Sequence, residues 1–297
     1  MPATVAVLAN PTAGRGRHEH LLAEVMTRLG GARLLQASTA EQALVEARSA
    51  VDDGVDALVA VGGDGTVHLG LQAVAGNDTR FGVVPTGTGN DFAVELDLPR
   101  GPLAAADAVA AALRDGRTRQ VDLARLTALG PDPVPPRWFG AVLGAGFDSL
   151  VNERANAMRF PRGPRRYDLA ILAELARLRP RRYTLHLDGV VHEIDAVLVA
   201  VGNTASYGGG MRICPAADPT DGLVDIVYAT PIGRTTLIRI KPWVRQGTHV
   251  RHPAVHSMRA AVVELHGEGI TTYADGERAF PLPVRVESVA GALRLLG

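Results

Sequence analysis

The sequence predicts an α/β amino-terminal domain, a parallel sheet with helices on both faces, followed by a largely antiparallel β-sandwich domain, with a cleft between the two. Three observations carry that expectation. Short apolar runs alternate with helical periodicity from Thr4 to Arg114, the pattern of a sheet wound with crossover helices. After Asp122 the texture changes and strand-like runs dominate. The 297 residues suffice for two domains of ordinary size, each burying its own core.

The elements follow in order. Thr4 to Leu8 reads as a strand, His18 to Leu29 as a helix, Ala32 to Gln36 as a strand and Glu41 to Ala50 as a helix. The apolar run Ala57 to Val61 is a buried strand that enters Gly62-Gly63-Asp64-Gly65-Thr66, and Val67 to Ala75 is the helix behind it. Phe81 to Val84 is a second such strand, entering Pro85-Thr86-Gly87-Thr88-Gly89-Asn90-Asp91. The alanine-rich helix Leu103 to Arg114 closes the first domain. Gly130 to Pro136 is too rich in proline for a helix or a central strand. Beyond it, Trp138 to Leu143, Tyr183 to Leu187, Glu193 to Val201, Val224 to Tyr228 and Ala261 to Leu265 read as strands. Asp168 to Leu178 and Thr235 to Arg245 read as helices. No internal repeat is present.

Hydrophobic content of 46%, a formal net charge of +0 and a mean hydropathy of +0.08 describe a soluble globular protein. Balanced charge removes the main driving force for nucleic-acid binding, the release of counterions by a basic surface. The single cysteine, Cys214, permits no internal disulfide, suits a reducing, cytoplasmic compartment and reads as a small half-buried residue. No signal segment and no bilayer-long apolar stretch is visible, so membrane contact is expected to be peripheral.

The two glycine-rich turns carry the chemistry. A strand, a glycine turn and a helix leave backbone N–H groups at the positive end of a helix dipole, an arrangement that binds phosphate. One such turn is ordinary in an α/β domain. Two at the carboxyl edge of one parallel sheet, each with an aspartate beside its glycines, point to a phosphate site. Asp64 is placed to orient a phosphate-bound Mg²⁺ or an incoming nucleophile. The known phosphate signatures are absent. A Walker A loop needs a Gly-Lys-Ser/Thr ending, and the only lysine is Lys241. Gly87-Thr88-Gly89 and Gly144-Ala145-Gly146 both lack the third glycine of a dinucleotide fingerprint. No protein-kinase element appears.

The residues resemble the diacylglycerol-kinase-like lipid kinases at four places, in order along almost the whole chain. These are Asn10-Pro11-Thr12-Ala13-Gly14-Arg15-Gly16, then Gly62 to Thr66, then Pro85 to Ala93, and finally Asp275-Gly276-Glu277. The second motif alone is shared with NAD kinases and phosphofructokinases; the four together are specific. The resemblance implies that the last strand, Leu293 to Leu296, returns to the first domain. The domains are then 1–122 with a return of about 285–297, and 123–284.

It also implies the site. ATP is the phosphate donor, lying over Gly62, Gly63, Asp64, Gly65 and Thr66, with Asn10, Thr39, Thr88 and Asn90 lining the nucleotide pocket. Asp275 is the general base, at a hairpin tip reaching into the cleft, supported by Glu277 and Asp122. Asp64, Asp91, Asp122 and Glu277 form an acidic network around Mg²⁺. A structural Mg²⁺ is expected at Asp218, Asp221 and the carbonyl of Leu223, in a loop that otherwise reads as a plain turn. Lacking a lysine, the site is expected to neutralise phosphate with Arg15 or Arg17.

The acceptor is expected to be the hydroxyl of a lipid such as diacylglycerol, met at the inner face of a membrane. Arg154 to Arg182 is the expected contact, where Arg159, Arg162, Arg165, Arg166, Arg177, Arg179, Arg181 and Arg182 surround Phe160, Pro161 and Tyr167. A solvated basic face explains the same residues equally well. No nucleic-acid partner is expected, and a homodimer is compatible with the sequence. The alternatives are a soluble kinase of the NAD-kinase type and a nucleotide-sensing regulator without catalysis. The full acidic set argues against the latter.

Overall fold

The computed structural model describes residues 3–9, 17–158, 160 and 165–297. The expectations placed on Asn10, Arg15, Arg159, Pro161, Arg162 and the side chain of Arg17 lie outside the described residues. The chain divides into two units, Met1–Leu123 with Val289–Gly297, and Ala124–Ser288.

In the first unit the order is β1 (Val5–Ala9), α1 (Arg17–Arg28), β2 (Arg33–Leu35), α2 (Ala40–Asp52), β3 (Ala57–Gly62), α3 (Asp64–Val74), β4 (Arg80–Pro85), α4 (Asp91–Glu95) and α5 (Pro102–Asp115). Strand β5 (Arg119–Ala128) then carries the chain into the second unit. There follow β6 (Arg137–Phe139), β7 (Val142–Gly146), α6 (Phe147–Ala157), α7 (Arg165–Ala176), β8 (Arg181–Leu187), β9 (Val190–Ala196), β10 (Leu198–Gly202), β11 (Val224–Ala229), α8 (Arg234–Gln246), β12 (Val255–Ala260), β13 (Val262–Gly267), β14 (Thr271–Ala274) and β15 (Glu277–Pro281). Strand β16 (Val284–Leu295) carries the chain back.

The sheet of the first unit runs β2-β1-β3-β4 and the end of β16, all parallel. Val7, Leu58, Val59 and Val84 are fully buried because helices cover both faces, α1 and α5 on one and α2 and α3 on the other. Register matters for the site: Gly62 of β3 pairs with Pro85 of β4, so both glycine turns leave the sheet at one level.

The second unit is a sandwich. One antiparallel sheet runs β12-β11-β10-β7-β14-β15; the other joins the start of β16 to β13, β8 and β9, with β5 and β6 alongside. Leu126, Phe139, Leu143, Tyr183, Leu185, Val199, Ile226, Val263 and Leu265 fill the space between the sheets.

Several expectations need correction. Trp138 to Leu143 is not one strand but parts of β6 and β7, which belong to different sheets; Glu193 to Val201 likewise divides into β9 and β10. A chain turning a sandwich corner stays apolar on both sides of it, so two strands read as one run. Helix α3 starts at Asp64, not Val67, leaving only Gly63 as the turn; Gly65 disguises a first helical turn. Helix α6 was hidden behind Gly144 and Gly146 and a polar sequence. Strand β16 is 12 residues long rather than a short terminal piece. Cys214 is fully buried rather than half-buried. No helix among the described residues is long and apolar enough to cross a membrane.

Candidate functional site

In the first unit the two glycine turns touch. The Thr86 N–H donates to the Gly62 carbonyl at 2.9 Å. A Cβ on Gly87 would lie 2.7 Å from the Gly63 Cα, and one on Gly62 would lie 2.1 Å from the Thr66 Oγ1. Glycine is therefore required at Gly87 by backbone-on-backbone packing and at Gly62 by the Thr66 side chain, whatever ligand the turns hold.

Asp64 joins the turns. From the first position of α3, its Oδ2 accepts the Asn90 N–H at 2.9 Å and its Oδ1 the Phe92 N–H at 3.4 Å. Asn90 adopts a left-handed conformation (φ 55°), and its side chain brackets the Gly87 peptide, Oδ1 accepting from N–H at 3.0 Å and Nδ2 donating to the carbonyl at 2.8 Å. Helix α3 has no side-chain cap, so its first turn presents main-chain donors and a positive dipole end beside exposed Gly65. Thr88 is exposed on the facing turn, Thr66 is buried, and Asp91 is buried at the start of α4. Gly62, Gly63, Asp64, Gly65, Thr66, Thr88, Asn90 and Asp91 thus lie on two turns joined by hydrogen bonds.

Two expected members of the site have other visible work. Asp122 is buried in β5, where its Oδ1 accepts the N–H of Gly291 at 2.7 Å, fixing a left-handed glycine (φ 60°) within β16. Thr39 is the N-cap of α2, its Oγ1 accepting the Gln42 N–H at 3.2 Å while the Gln42 side chain accepts the Ser38 N–H at 3.0 Å.

In the second unit, Asp275 and Gly276 form the two-residue turn between β14 and β15, with φ 52° and 81°, both positive as a type I′ hairpin demands. The Asp275 carboxylate folds back onto the corner between β6 and β7. Its Oδ2 accepts the Gly140 N–H at 3.1 Å and its Oδ1 the Ala141 N–H at 2.8 Å, while its own N–H donates to the Val142 carbonyl at 3.1 Å. This hydrogen-bonded corner locks the orientation of the carboxylate. Glu277, two residues on, is exposed.

The loop before β11 is both a turn and an acidic site. Asp218 Oδ1 accepts from the Thr220 N–H at 3.1 Å and hydroxyl at 2.6 Å; Asp221 Oδ1 accepts the Leu223 N–H at 3.0 Å. Arg259 pairs with Asp221 and lies 3.3 Å from Asp225. Burial pushes the Asp225 carboxyl up to about 6, and the Asp218 charge adds to the rise. Arg259 meets two of the three carboxylates, Asp221 and Asp225, and the Asp218 charge also acts on Asp225, so the acids outnumber the cation, a donor set that fits a hard divalent ion such as Mg²⁺.

One carboxyl escaped the sequence reading. Asp148 opens α6 directly after β7, a strand–glycine–helix junction in the second unit. A Cβ on Gly144 would lie 1.9 Å from its Oδ2, so the glycine makes room for the acid. The Tyr207 hydroxyl donates to Oδ2 at 3.4 Å, whereas Oδ1 is buried with no hydrogen-bond partner among the described residues. Burial pushes this carboxyl up to about 6. The signal was present in Gly144-Ala145-Gly146-Phe147-Asp148, considered only as a failed fingerprint.

The arginine-rich region resolves into helices. Arg154 of α6 pairs with Glu174 of α7, and Arg166 lies over the Tyr167 ring. Leu169 and Leu172 of α7 are exposed, as is Phe160 before it. Arg234 of α8 donates to the Ala176 carbonyl at 2.6 Å, so α8 sits beside the end of α7 and adds exposed Ile238, Trp243, Arg239 and Lys241. The sequence reading missed this second helix as part of the face.

Comparison with known proteins bears on the family and the fold. The diacylglycerol kinase catalytic domain model matches residues 4–126, and the YegS C-terminal NAD kinase beta sandwich-like domain model matches residues 141–297. A diacylglycerol kinase of Mycobacterium tuberculosis is 44% identical over 305 residues, covering 98% of this chain and 94% of the relative. One of Bacillus subtilis is 27% identical over 286 residues, covering 93% and 90%. A crystal structure of a diacylglycerol kinase from Bacillus anthracis superposes with a TM-score of 0.72 at 20% identity, covering 99% of this chain and 96% of that one. An NAD kinase from Archaeoglobus fulgidus in complex with ATP shares the fold at a TM-score of 0.56 and 15% identity, covering 99% and 93%. Matched by both models and at 44% identity by a named relative across nearly its whole length, the chain belongs to the diacylglycerol kinase family and is a lipid kinase.

Proposed function

We propose that the protein transfers the γ-phosphoryl group of ATP to the hydroxyl of a lipid such as diacylglycerol. The observation that carries the reading is the pair of touching glycine turns held by Asp64 at the uncapped start of α3. Main-chain donors there receive the phosphates, with Thr66, Thr88 and Asn90 around them. Asp64 and Asp122 act as positioning residues through the backbone they hold. Asp275 takes the proton of the acceptor hydroxyl as its oxygen bonds to phosphorus and the bond to ADP breaks. Glu277 and Asp91 complete the acidic set. Mg²⁺ with the nucleotide would neutralise charge developing on the transferred group. A second Mg²⁺, held by Asp218, Asp221 and the Leu223 carbonyl, would brace the loop before β11.

Membrane access fits α7 and α8, whose exposed Leu169, Leu172, Ile238 and Trp243 sit among Arg165, Arg166, Arg239 and Lys241. Apolar side chains enter the interface while the cations meet anionic headgroups, so the protein docks peripherally on the inner face of a membrane. The test is a labelled-ATP assay against diacylglycerol, sphingoid base, phosphatidylglycerol and isoprenoid alcohol in vesicles. Labelled lipid, formed faster with anionic lipid and slower with salt, is expected. Label transferred only to NAD or another water-soluble acceptor would overturn the reading.

A further inference from the structure

We propose that His186, Glu264 and His266 bind one transition-metal dication, preferentially Zn²⁺, on the outer face of the second unit. Strands β8 and β13 are antiparallel neighbours in which His186 lies opposite Glu264 and His266 follows two residues on. Side chains alternate across a sheet, so these three share one face while Leu185, Leu187 and Leu265 are buried on the other. Nothing in the proposed phosphoryl transfer uses them.

The geometry is that of a ligand set. Glu264 Oε2 lies 3.8 Å from His186 Nδ1 and 3.8 Å from His266 Nε2, and the three ligand atoms fall within 4.8 Å of one another. The imidazole centroids are 5.1 Å apart. Zinc bonds of about 2.0–2.2 Å set tetrahedral ligand atoms about 3.4 Å apart, so the glutamate–histidine separations would close by about 0.4 Å and the widest separation by about 1.4 Å, within the reach of side-chain rotations. Among the described residues this is the one group of three ligating side chains that converges so closely.

Two further observations favour a metal over ordinary surface pairing. His266 Nε2 is buried and makes no hydrogen bond to any described residue, an unsatisfied state that a metal bond would relieve. Arg285 Nη1 lies 3.4 Å from Glu264 Oε1, holding that oxygen and leaving Oε2 toward the histidines. Beside the trio, a cavity of about 320 Å³ lined by His186, Asp188, Gly189, Val262, Glu264 and Arg285 has room for a water as fourth ligand. Two imidazoles and one carboxylate select zinc-like ions over Mg²⁺, which prefers oxygen alone. The bound ion would tie β8 to β13 and stabilise the folded chain by mass action.

The experiment uses the untagged full chain, stripped with chelator, dialysed and titrated with ZnSO₄ by calorimetry, and separately with Co²⁺ by visible absorption. One ion per chain is expected, with a higher thermal midpoint and the intense bands of tetrahedral Co²⁺. His186→Gln and His266→Gln, each checked for folding by circular dichroism, should weaken binding at least about tenfold. His256→Gln, elsewhere in the unit, should change nothing. Should the unmodified chain fail to bind Zn²⁺ at micromolar concentration, or should His186→Gln and His266→Gln bind as well as the parent, the site is not a metal centre and the cluster is a set of surface ion pairs.

Discussion

In the first unit, Asp64 and Asp122 offer carboxylate oxygens to main-chain N–H groups and hold the chain in place, Asp64 at the second glycine turn and Asp122 at Gly291 of β16. In the second, Asp148 and Asp225 lie in surroundings that push their carboxyls up to about 6, and Asp148 keeps one oxygen without a partner. Asp275 belongs to the second unit by sequence but is built like the acids of the first, with two N–H donors on its oxygens. Acids tied to backbone position chain; acids whose burial outweighs the few donors they have make stability depend on pH. Sequence alone does not separate the two kinds, since Asp64 of the first and Asp148 of the second each stand beside a strand–glycine–helix junction.

The largest expected effect comes from Asp275. Asp275→Asn keeps an acceptor for the corner between β6 and β7 but cannot take a proton. Turnover should fall by roughly two to four orders of magnitude while ATP affinity stays near that of the parent. Lost ATP affinity with unchanged single-turnover rates would move Asp275 out of the chemistry.

Asp148 should show in the pH dependence of stability. Its folded value of about 6 lies above its ordinary 3.8, so the fold favours the neutral form. The stability it contributes is fully present below about pH 4 and is lost as pH rises to about 6, a change of about 3 kcal/mol for roughly two units. Asp148→Asn removes the titration. Urea unfolding of parent and variant at pH 4.5 and 7.5 should give stability differences that move in the variant's favour at the higher pH. Equal differences at both would mean that the carboxyl is solvated.

Asp64→Ala leaves the Asn90 and Phe92 N–H groups without their acceptor, and should cost about 1–3 kcal/mol of stability as well as turnover with ATP. A plain turn residue would cost activity alone, so chemical denaturation separates the brace from a merely ligand-facing acid. Smallest of the four is the effect at Asp221. If Mg²⁺ binds there, ten times its dissociation constant should stabilise the parent by about 1.4 kcal/mol without ATP, and Asp221→Ala should abolish the gain. Superimposable Mg²⁺ titrations of the two proteins would return the loop to a turn held by Arg259.

Much of this was legible in the sequence, and the rest was hidden for physical reasons. The glycine turns, the parallel sheet and the Asp275-Gly276 hairpin follow from local rules of glycine, proline and alternating apolar residues. The family was readable because its four motifs are local strings. The corners at Gly140-Ala141 and Val197 were not, because burial on both sides of a sheet change erases the boundary. The Asp64 brace and the Asp148 pocket depend on partners distant in sequence, Phe92 and Tyr207, and no periodicity announces those. The His186–Glu264–His266 face joins strands more than seventy positions apart in the chain.

Strand β16 sets the order in which the molecule can be completed. Its last residues pair with β4 through Arg294 and Leu295, the Leu296 N–H donates to the Phe81 carbonyl at 2.8 Å, and Leu293, Leu295 and Leu296 are fully buried. The parallel sheet, which includes β1, therefore waits for residues 289–297 before its β4 edge is closed. During synthesis that edge stays open while the whole second unit is translated, exposing unpaired backbone and apolar surface to any neighbouring strand. Removing residues 289–297 would leave both glycine turns in the chain, yet would open the β4 edge of the sheet that carries them.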